Sequence, residues 1–267
     1  MGSPGDEILY HYDGPGRALS ILKELTEGRR TCVFQPIVTL ASGKAEWYEV
    51  LMRLASEDDG AVSTDEFIYV AARLGVMPFV DRCGLASAVE VLTRHTDIKL
   101  MVNLHTQTLR DQASIDHLHD FVGRSNVERH RIGFEIKETS IEADPTRAGM
   151  VINGLHELGY VLALDDFGTG TSPLSHVSDL PFDYIKIDGR YIRDIDSEHS
   201  HRAFAKAVNA AAHTLGKKTV AEHVTTESVF GVVSNIGIDF GQGYYLGRPA
   251  PLASFTRKES ERCPCRA

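Results

Sequence analysis

Short apolar segments alternate with segments of helical periodicity about eight times along the 267 residues, and this alternation restricts the fold more than any other feature. The first predicted strand spans residues 33–40 and the last lies near residues 238–240. Strands that alternate with crossover helices run parallel to one another. Eight such units in a chain of about 250 residues favour a closed barrel over an open sheet. The sequence therefore predicts a single α/β domain of the TIM-type (β/α)8 class, in which Pro36 marks an edge or a bend of the first strand.

One predicted strand, at residues 160–164, runs directly into two neighbouring carboxylates, Asp165 and Asp166. Gly168 and Gly170 then loosen the loop that follows. Charged groups rarely lie beside a buried strand unless something pairs with them. A divalent cation is the simplest partner for two adjacent aspartates.

Polar residues recur at or near the carboxyl ends of the predicted strands: Glu49, Asn103, Glu135, Asp165, Lys186 and Glu222. Taken singly, an acid at a strand end is more often a helix cap or a solvated loop residue. Strand ends of a barrel converge on one mouth, however, so the recurrence favours a shared site. Carboxylate and amide oxygens suit Mg²⁺ or Mn²⁺ better than zinc. The adjacent aspartates can serve two ions, and two-metal sites catalyse in-line displacement at phosphorus. Lys186 is either a structural ion pair among these carboxylates or a group that orients the attacking water.

Composition excludes several classes of function. The formal net charge of −9 argues against a DNA or RNA polymer as partner, although a small anion can bind if metal ions neutralise the acids. No apolar run reaches the roughly 18 residues of a membrane helix, so no membrane contact is expected. The four cysteines form no CxxC pair, and the start of the chain is not a secretory signal. We therefore expect a reducing, cytoplasmic location.

The chain resembles the EAL-domain cyclic-di-GMP phosphodiesterases over roughly residues 19–249. Each shared motif is weak alone, but their order and spacing are highly specific. The motifs are Gln35-Pro36-Ile37-Val38, Glu49-Val50-Leu51-Met52-Arg53, Val102-Asn103-Leu104, Glu135-Ile136-Lys137-Glu138, Asp165-Asp166-Phe167-Gly168-Thr169-Gly170, Asp183-Tyr184-Ile185-Lys186-Ile187-Asp188, Ala221-Glu222, Gly241-Gln242-Gly243-Tyr244 and Gly247-Arg248-Pro249.

This resemblance implies a modified barrel whose first strand is antiparallel to the others. It implies hydrolysis of cyclic-di-GMP to linear 5′-pGpG with two ions of Mg²⁺ or Mn²⁺. The metal ligands carried over by position are Glu49, Asn103, Glu135, Asp165, Asp166 and Glu222. The catalytic residues it implies are Lys186, which acts on the attacking water, with Glu49, Glu222 and Asp166.

Further roles are also implied by the resemblance. Glu138 tethers the loop after Asp166. The residues expected to hold the nucleotide are Gln35, Leu51, Arg53 and Gln242, with Asp81 as a weaker candidate. Asp81 is about equally well explained as an acid at the start of a helix.

Several positions depart from the family pattern without removing a predicted ligand: Lys137, Thr171, Pro173, His223 and Thr225. Because they surround the ligands, they leave the level of activity open. The alternative function is a weak or inactive EAL module that serves as a cyclic-di-GMP receptor or a protein-interaction domain. A third reading is a different barrel metalloenzyme with a lysine base.

The predicted organisation is a flexible or cloning-derived segment at residues 1–15, the EAL domain at 16–257 and a tail at 258–267. A homodimer and a sensory or GGDEF domain in the parent protein are the partners that the resemblance implies besides the nucleotide.

Overall fold

The computed structural model describes residues 15–27, 30–54, 63–170 and 179–256. Its eight strands close into a barrel in which each strand pairs with its neighbours in sequence order. The strands are β1 (Arg30–Thr39), β2 (Ala45–Leu54), β3 (Leu100–Leu104), β4 (Ile132–Lys137), β5 (Val161–Phe167), β6 (Tyr184–Ile187), β7 (Lys218–Ala221) and β8 (Phe240–Gly241). β1 is antiparallel to both β2 and β8, while the remaining neighbours are parallel. The predicted barrel and its reversed first strand are thus confirmed.

Helices surround the barrel and connect its parallel strands. They are α1 (Pro15–Thr26), α2 (Thr64–Arg73), α3 (Met77–Arg94), α4 (Thr106–Arg110), α5 (Gln112–Gly123), α6 (Glu138–Ala143), α7 (Pro145–Glu157), α8 (Gly189–Ile192), α9 (His199–Thr214), α10 (Glu227–Ile236) and α11 (Ala253–Thr256), with a 3₁₀ turn at Arg129–Arg131. Within the described ranges, no helix has the length and apolarity needed to cross a membrane.

The helix ends follow the local signals in the sequence. The Ser63 side chain accepts a hydrogen bond from the N–H of Glu66 at the start of α2, and Asp144 caps α7 in the same way through Arg147. Gly237 ends α10 in the left-handed conformation, with φ of 85°.

Pro36 lies in β1 where that strand is bonded on one side. It faces Tyr48 of β2, whereas β1 pairs with β8 only through Val38 and Thr39. Because proline has no N–H to donate, it is tolerated on this unpaired side. The register of β1 also shifts between Ile37 and Val38, which agrees with the predicted bend.

The apolar core has an outer part, between the barrel and its helices, and an inner part inside the barrel. The inner part consists of Ile37, Trp47, Met101, Ala163, Tyr184, Val220 and Phe240. Trp47 donates a hydrogen bond from Nε1 to the Tyr184 hydroxyl at 3.1 Å. A Cβ at Gly133 would lie 2.1 Å from the Met101 sulfur, so glycine there leaves the room that Met101 fills. The interior is a packed plug, and only its mouth is available for a site.

Two strand boundaries differ from the sequence prediction. β5 does not end before the aspartates but continues through both of them to Phe167, because a bulge keeps the chain in the sheet. β8 is Phe240–Gly241, two residues long, rather than residues 238–240. The predicted domain limits stay predictions, and the tail at 258–267 lies outside the described residues.

Candidate functional site

The polar residues form a single layer above the apolar plug. For seven strands the site residue lies within the strand or directly after it, two positions beyond an inward-facing residue, as in Trp47 and Glu49 or Tyr184 and Lys186. In the reversed β1 the site residue Gln35 lies two positions before the interior residue Ile37. Since strand side chains alternate between faces, all eight point inward at the same level. The layer consists of Gln35, Glu49, Asn103, Glu135, Asp165, Lys186, Glu222 and Gln242.

Lys186 lies at the centre of this layer, with its side chain 2% exposed. Its Nζ is 3.0 Å from Glu135 Oε2, 2.9 Å from an oxygen of Asp165, 2.9 Å from an oxygen of Glu222 and 3.9 Å from Glu49 Oε2. Burial by itself lowers the pKa of Lys186, but these four carboxylates together raise it well above its ordinary value. This shift favours the charged ammonium, which pairs with the carboxylates around it.

The pKa values of the carboxylates are shifted in different directions. Burial raises the pKa of Glu135 well above its ordinary value, with repulsion from Glu49 adding to the effect. Burial likewise raises the pKa of Glu222 to about 8. At Asp165 burial is outweighed by Lys186 and Lys137, which together lower the pKa. Repulsion among crowded, buried acids is the electrostatic setting in which a cation binds.

Asp166 reaches the same site through an unusual backbone conformation. Neighbouring strand residues normally point to opposite faces, yet Asp166 has φ of 53° and lies in a bulge between Leu164 and Phe167. As a result, oxygens of Asp165, Asp166 and Glu222 all lie within 4.8 Å of one another. Asp166 Oδ2 also pairs with the Nζ of Lys137.

Glu138 holds the loop that follows Asp166. It is 1% exposed, and its Oε2 accepts hydrogen bonds from the N–H of Gly168 at 2.9 Å and of Gly170 at 3.0 Å. A Cβ at Gly170 would lie 2.9 Å from the Glu138 carboxyl carbon, so a larger residue would disturb this contact. This geometry is what the predicted tethering role requires.

Amide side chains orient Glu49. Asn103 Nδ2 donates to Glu49 Oε1 at 2.8 Å, and Gln242 Nε2 donates to Glu49 Oε2 at 2.6 Å. Gln242 Nε2 also lies 3.3 Å from Gln35 Oε1, and Gln35 in turn donates to the Gly247 carbonyl at 3.1 Å. Because Asn103 donates through its nitrogen, its carbonyl oxygen is the atom that can serve as a cation ligand.

A cavity of about 320 Å³ opens at this side of the mouth. Four of the five residues predicted to hold the nucleotide line it, together with residues that sequence reasoning did not select. The lining comprises Gln35, Glu49, Leu51, Arg53, Glu222, His223, Thr225, Gln242, Gly243, Tyr244 and Pro249. Arg53 donates from Nη1 to the Met52 carbonyl at 2.9 Å.

Asp81 is placed elsewhere. It is buried in α3, where its Oδ2 accepts hydrogen bonds from the N–H of His105 at 2.8 Å and the hydroxyl of Thr108 at 2.5 Å. Burial raises its pKa to about 7, although both hydrogen bonds oppose the shift. The carboxyl anchors the start of α4, directly after β3, and does not line the cavity at the mouth. Its role toward a nucleotide stays a prediction.

The structure adds residues that the sequence reasoning did not assign to the site. Lys137 shares the inward face of β4 with Glu135, and the period of two was the signal that pointed to it. His223 lines the cavity from a left-handed conformation, with φ of 53°, which no strand pattern predicts. Thr171 and Pro173 lie outside the described residues.

A second, larger cavity of about 360 Å³ lies away from the mouth, against α3 and α5. It is lined in part by Arg30, Arg82 and Glu90, and none of the predicted site residues contributes to it. The predicted metal ligands and Lys186 lie instead at the mouth of the barrel.

The layer fits a divalent cation. Within the described part of the chain, the buried Oε1 atoms of Glu135 and Gln242 have no hydrogen-bond partner. Buried polar atoms are normally paired, so these oxygens point to a ligand. The donors are carboxylate and amide oxygens, which bind Mg²⁺ and Mn²⁺.

A family profile described as EAL domain matches residues 18–249, which is most of the chain. The chain belongs to the EAL domain family. It is 29% identical over 266 residues to the cyclic di-GMP phosphodiesterase PdeB of Shewanella oneidensis, covering 98% of this chain and 31% of that protein. It is 30% identical to the probable cyclic di-GMP phosphodiesterase PdeB of Escherichia coli, covering 88% of this chain and 46% of that protein.

A solved structure has a similar fold. A structure named PaMucR phosphodiesterase, c-di-GMP complex, superposes with a TM-score of 0.84 at 25% identity, covering 89% of this chain and 99% of the other. This EAL chain spans less than half the length of the curated relatives named above.

Proposed function

We propose that this EAL domain hydrolyses cyclic-di-GMP to linear 5′-pGpG with Mg²⁺ or Mn²⁺. In this reaction water adds to one phosphorus, the bond from that phosphorus to the 3′-oxygen breaks, and the 3′-oxygen takes up a proton. The observation that carries the proposal is the complete oxygen-donor layer around a buried Lys186. Relatives that bear the name cyclic di-GMP phosphodiesterase support it.

The residues proposed to hold the cations are Glu49, Asn103, Glu135, Asp165, Asp166 and Glu222. Bound ions would stabilise negative charge on the phosphate and make the attacking water more acidic. Lys186 keeps three carboxylates oriented by direct ion pairs, and Glu138 keeps the loop beyond Asp166 in place. Any contact of Lys186 with water requires one of these carboxylates to give way.

The cavity beside the layer is the proposed nucleotide site. Arg53 carries the guanidinium suited to a phosphate oxygen. Gln35 and Gln242 present amide groups, and Leu51 contributes an apolar surface. These residues lie next to Glu49, so a phosphodiester bound here is adjacent to the proposed cations.

Nucleotide product analysis tests the proposal. Purified protein is incubated with cyclic-di-GMP and Mg²⁺, Mn²⁺ or Ca²⁺ in parallel, and the products are separated by chromatography. We expect 5′-pGpG with Mg²⁺ or Mn²⁺, and no product from Glu49→Ala or Lys186→Ala. Intact substrate with both metals, at any protein concentration, would refute hydrolysis.

One observation favours the alternative of nucleotide binding without turnover. Lys137 occupies Asp166, one of the proposed ligands. Calorimetric binding of cyclic-di-GMP by a protein that yields no 5′-pGpG would select this receptor function. If neither binding nor turnover occurs, a protein-interaction role follows. The homodimer and the GGDEF or sensory partner domain stay predictions.

A further inference from the structure

Lys137 is a second lysine at the mouth, and its position differs from that of Lys186. It is the last residue of β4 and follows Gly133 and Glu135 on the inward face, one level above the ligand layer. Its side chain is 54% exposed, whereas that of Lys186 is 2% exposed. Because Lys137 lies at the end of β4 and has a long aliphatic side chain, its ammonium can reach either Asp166 or solvent.

The ammonium of Lys137 pairs directly with Asp166 Oδ2, and Asp166 is itself 27% exposed. Asp165 and Glu222 also attract it. These are the three residues whose oxygens come within 4.8 Å of one another. The side chain thus adds positive charge to the group of carboxylates best arranged for a cation.

We propose that Lys137 is a built-in competitor for the divalent cation at Asp166. This inference rests on the proposed metal site. A cation that takes Asp166 Oδ2 as its ligand displaces the ammonium, so the ion pair is lost when the cation binds. Lys137 then lies free at the rim. The cation at Asp166 is bound more weakly than it would be without this lysine, and the site fills only at higher metal concentration.

The size of the effect follows from the exposure of the pair. A partly exposed ion pair contributes at most about 1 kcal/mol, which corresponds to about fivefold in a dissociation constant. Removal of the lysine charge should therefore tighten the weaker Mn²⁺ site by up to about fivefold. The experiment is a Mn²⁺ titration followed by electron paramagnetic resonance of the free ion, with the purified chain and no nucleotide.

The test variant is Lys137→Met, which keeps the length of the stem and removes the charge. Lys99→Met is the matched control, because Lys99 pairs with Glu46 at 3.4 Å and precedes β3 at the opposite end of the barrel. Asp166→Asn removes a carboxylate ligand, so the Mn²⁺ site whose affinity falls in this variant is the one that contains Asp166. We expect tighter Mn²⁺ binding in Lys137→Met and no change in Lys99→Met.

Two results overturn the inference: equal Mn²⁺ affinity in the wild type and Lys137→Met, or equal tightening in Lys99→Met. Neither result depends on turnover, so the proposed hydrolysis can still hold when the inference fails. Conversely, if Lys137→Met binds Mn²⁺ more tightly than the wild type but neither protein forms 5′-pGpG, the inference is supported and the proposed function is refuted.

Discussion

Replacement of Lys186 by methionine is the sharpest test of how the barrel mouth is held together. Methionine has a similar unbranched shape, so the substitution removes the charge with little change in packing. In the wild type the ammonium contacts Glu135, Asp165 and Glu222 at 2.9 to 3.0 Å. Without it, these three buried acids face one another and lose the ammonium that pairs with all three.

The expected cost can be estimated from the burial of the ion pairs. Removal of one partner of a buried pair destabilises a protein by about 3 to 5 kcal/mol. The acids of Lys186→Met can take up protons, which limits the loss, so we expect about 3 kcal/mol in metal-free buffer. A domain of this kind has about 5 to 15 kcal/mol of stability, so the variant should still fold.

Lys217→Met is the matched control. Lys217 is also buried, but its Nζ donates to the carbonyl oxygens of Leu180 at 2.7 Å and Phe182 at 3.1 Å. Its loss costs hydrogen bonds, about 2 kcal/mol, without crowding carboxylates. Urea unfolding of both variants is followed by circular dichroism, first with chelator and then with Mn²⁺.

Mn²⁺ should distinguish the two variants. In Lys186→Met a divalent cation supplies the missing positive charge, so the free energy of unfolding should rise by more than in the wild type. In Lys217→Met the gain should equal that of the wild type. The reasoning is refuted if Lys186→Met loses less than about 1 kcal/mol in chelator, or if Mn²⁺ stabilises both variants equally.

Three further predictions concern the supports of the site. Burial raises the pKa of Asp81 from 3.8 to about 7, so its stabilising contribution is complete below pH 4 and is lost as the pH rises through 7. The free energy of unfolding in urea should therefore fall by roughly 2 to 3 kcal/mol more in the wild type than in Asp81→Asn between pH 5 and 8. A difference in unfolding free energy between the two proteins that does not change with pH would contradict this. Gly243→Ala should destabilise the protein by more than about 2 kcal/mol, because a Cβ would lie 2.2 Å from the Val224 carbonyl oxygen, whereas Gly231→Ala in α10 meets no atom within 4 Å and should stabilise it slightly. Thermal unfolding compares the two, and equal shifts would refute the argument. Glu138→Ala should weaken Mn²⁺ binding about tenfold by calorimetry, and Glu138→Gln, which keeps an acceptor oxygen, should weaken it less; unchanged affinity in the alanine variant would show that the loop needs no tether.

The strand ends visible in the sequence predicted six of the eight residues in the layer, whereas Gln35 and Gln242 were implied only by the resemblance to EAL domains. Glu49, Asn103 and Asp165 each follow an apolar interior position by two residues, and that spacing is visible in the chain itself. Helix ends are local in the same way, since Ser63 caps α2 through its side chain and Gly237 ends α10 through its own left-handed backbone. The prediction failed at the end of β5, because the bulge at Asp166 depends on pairing with β4 and β6.

Contacts between elements distant in the chain could not be read in advance. The hydrogen bond between Asp81 and Thr108 at the start of α4 is one example, because it depends on how α3 packs against α4. His223 and Thr225 line the cavity beside Arg53 through barrel closure, which brings β7 and β8 around to β1 and β2. Such placements follow from how elements pack, and no local propensity encodes them.

By itself the sequence predicted an eight-stranded barrel with polar residues converging on one mouth, because the alternation of strands with helices is visible along the chain. The family and the reversed first strand were implied by the motifs that resemble EAL domains. The tertiary structure decided the charge balance at the mouth. It turned Asp166 toward Asp165 and Glu222, surrounded Lys186 with four carboxylates and set Lys137 on Asp166. The physical reason is that the energy of a charge depends on its distance to other charges and on its burial, and both are settled only when the eight strands close.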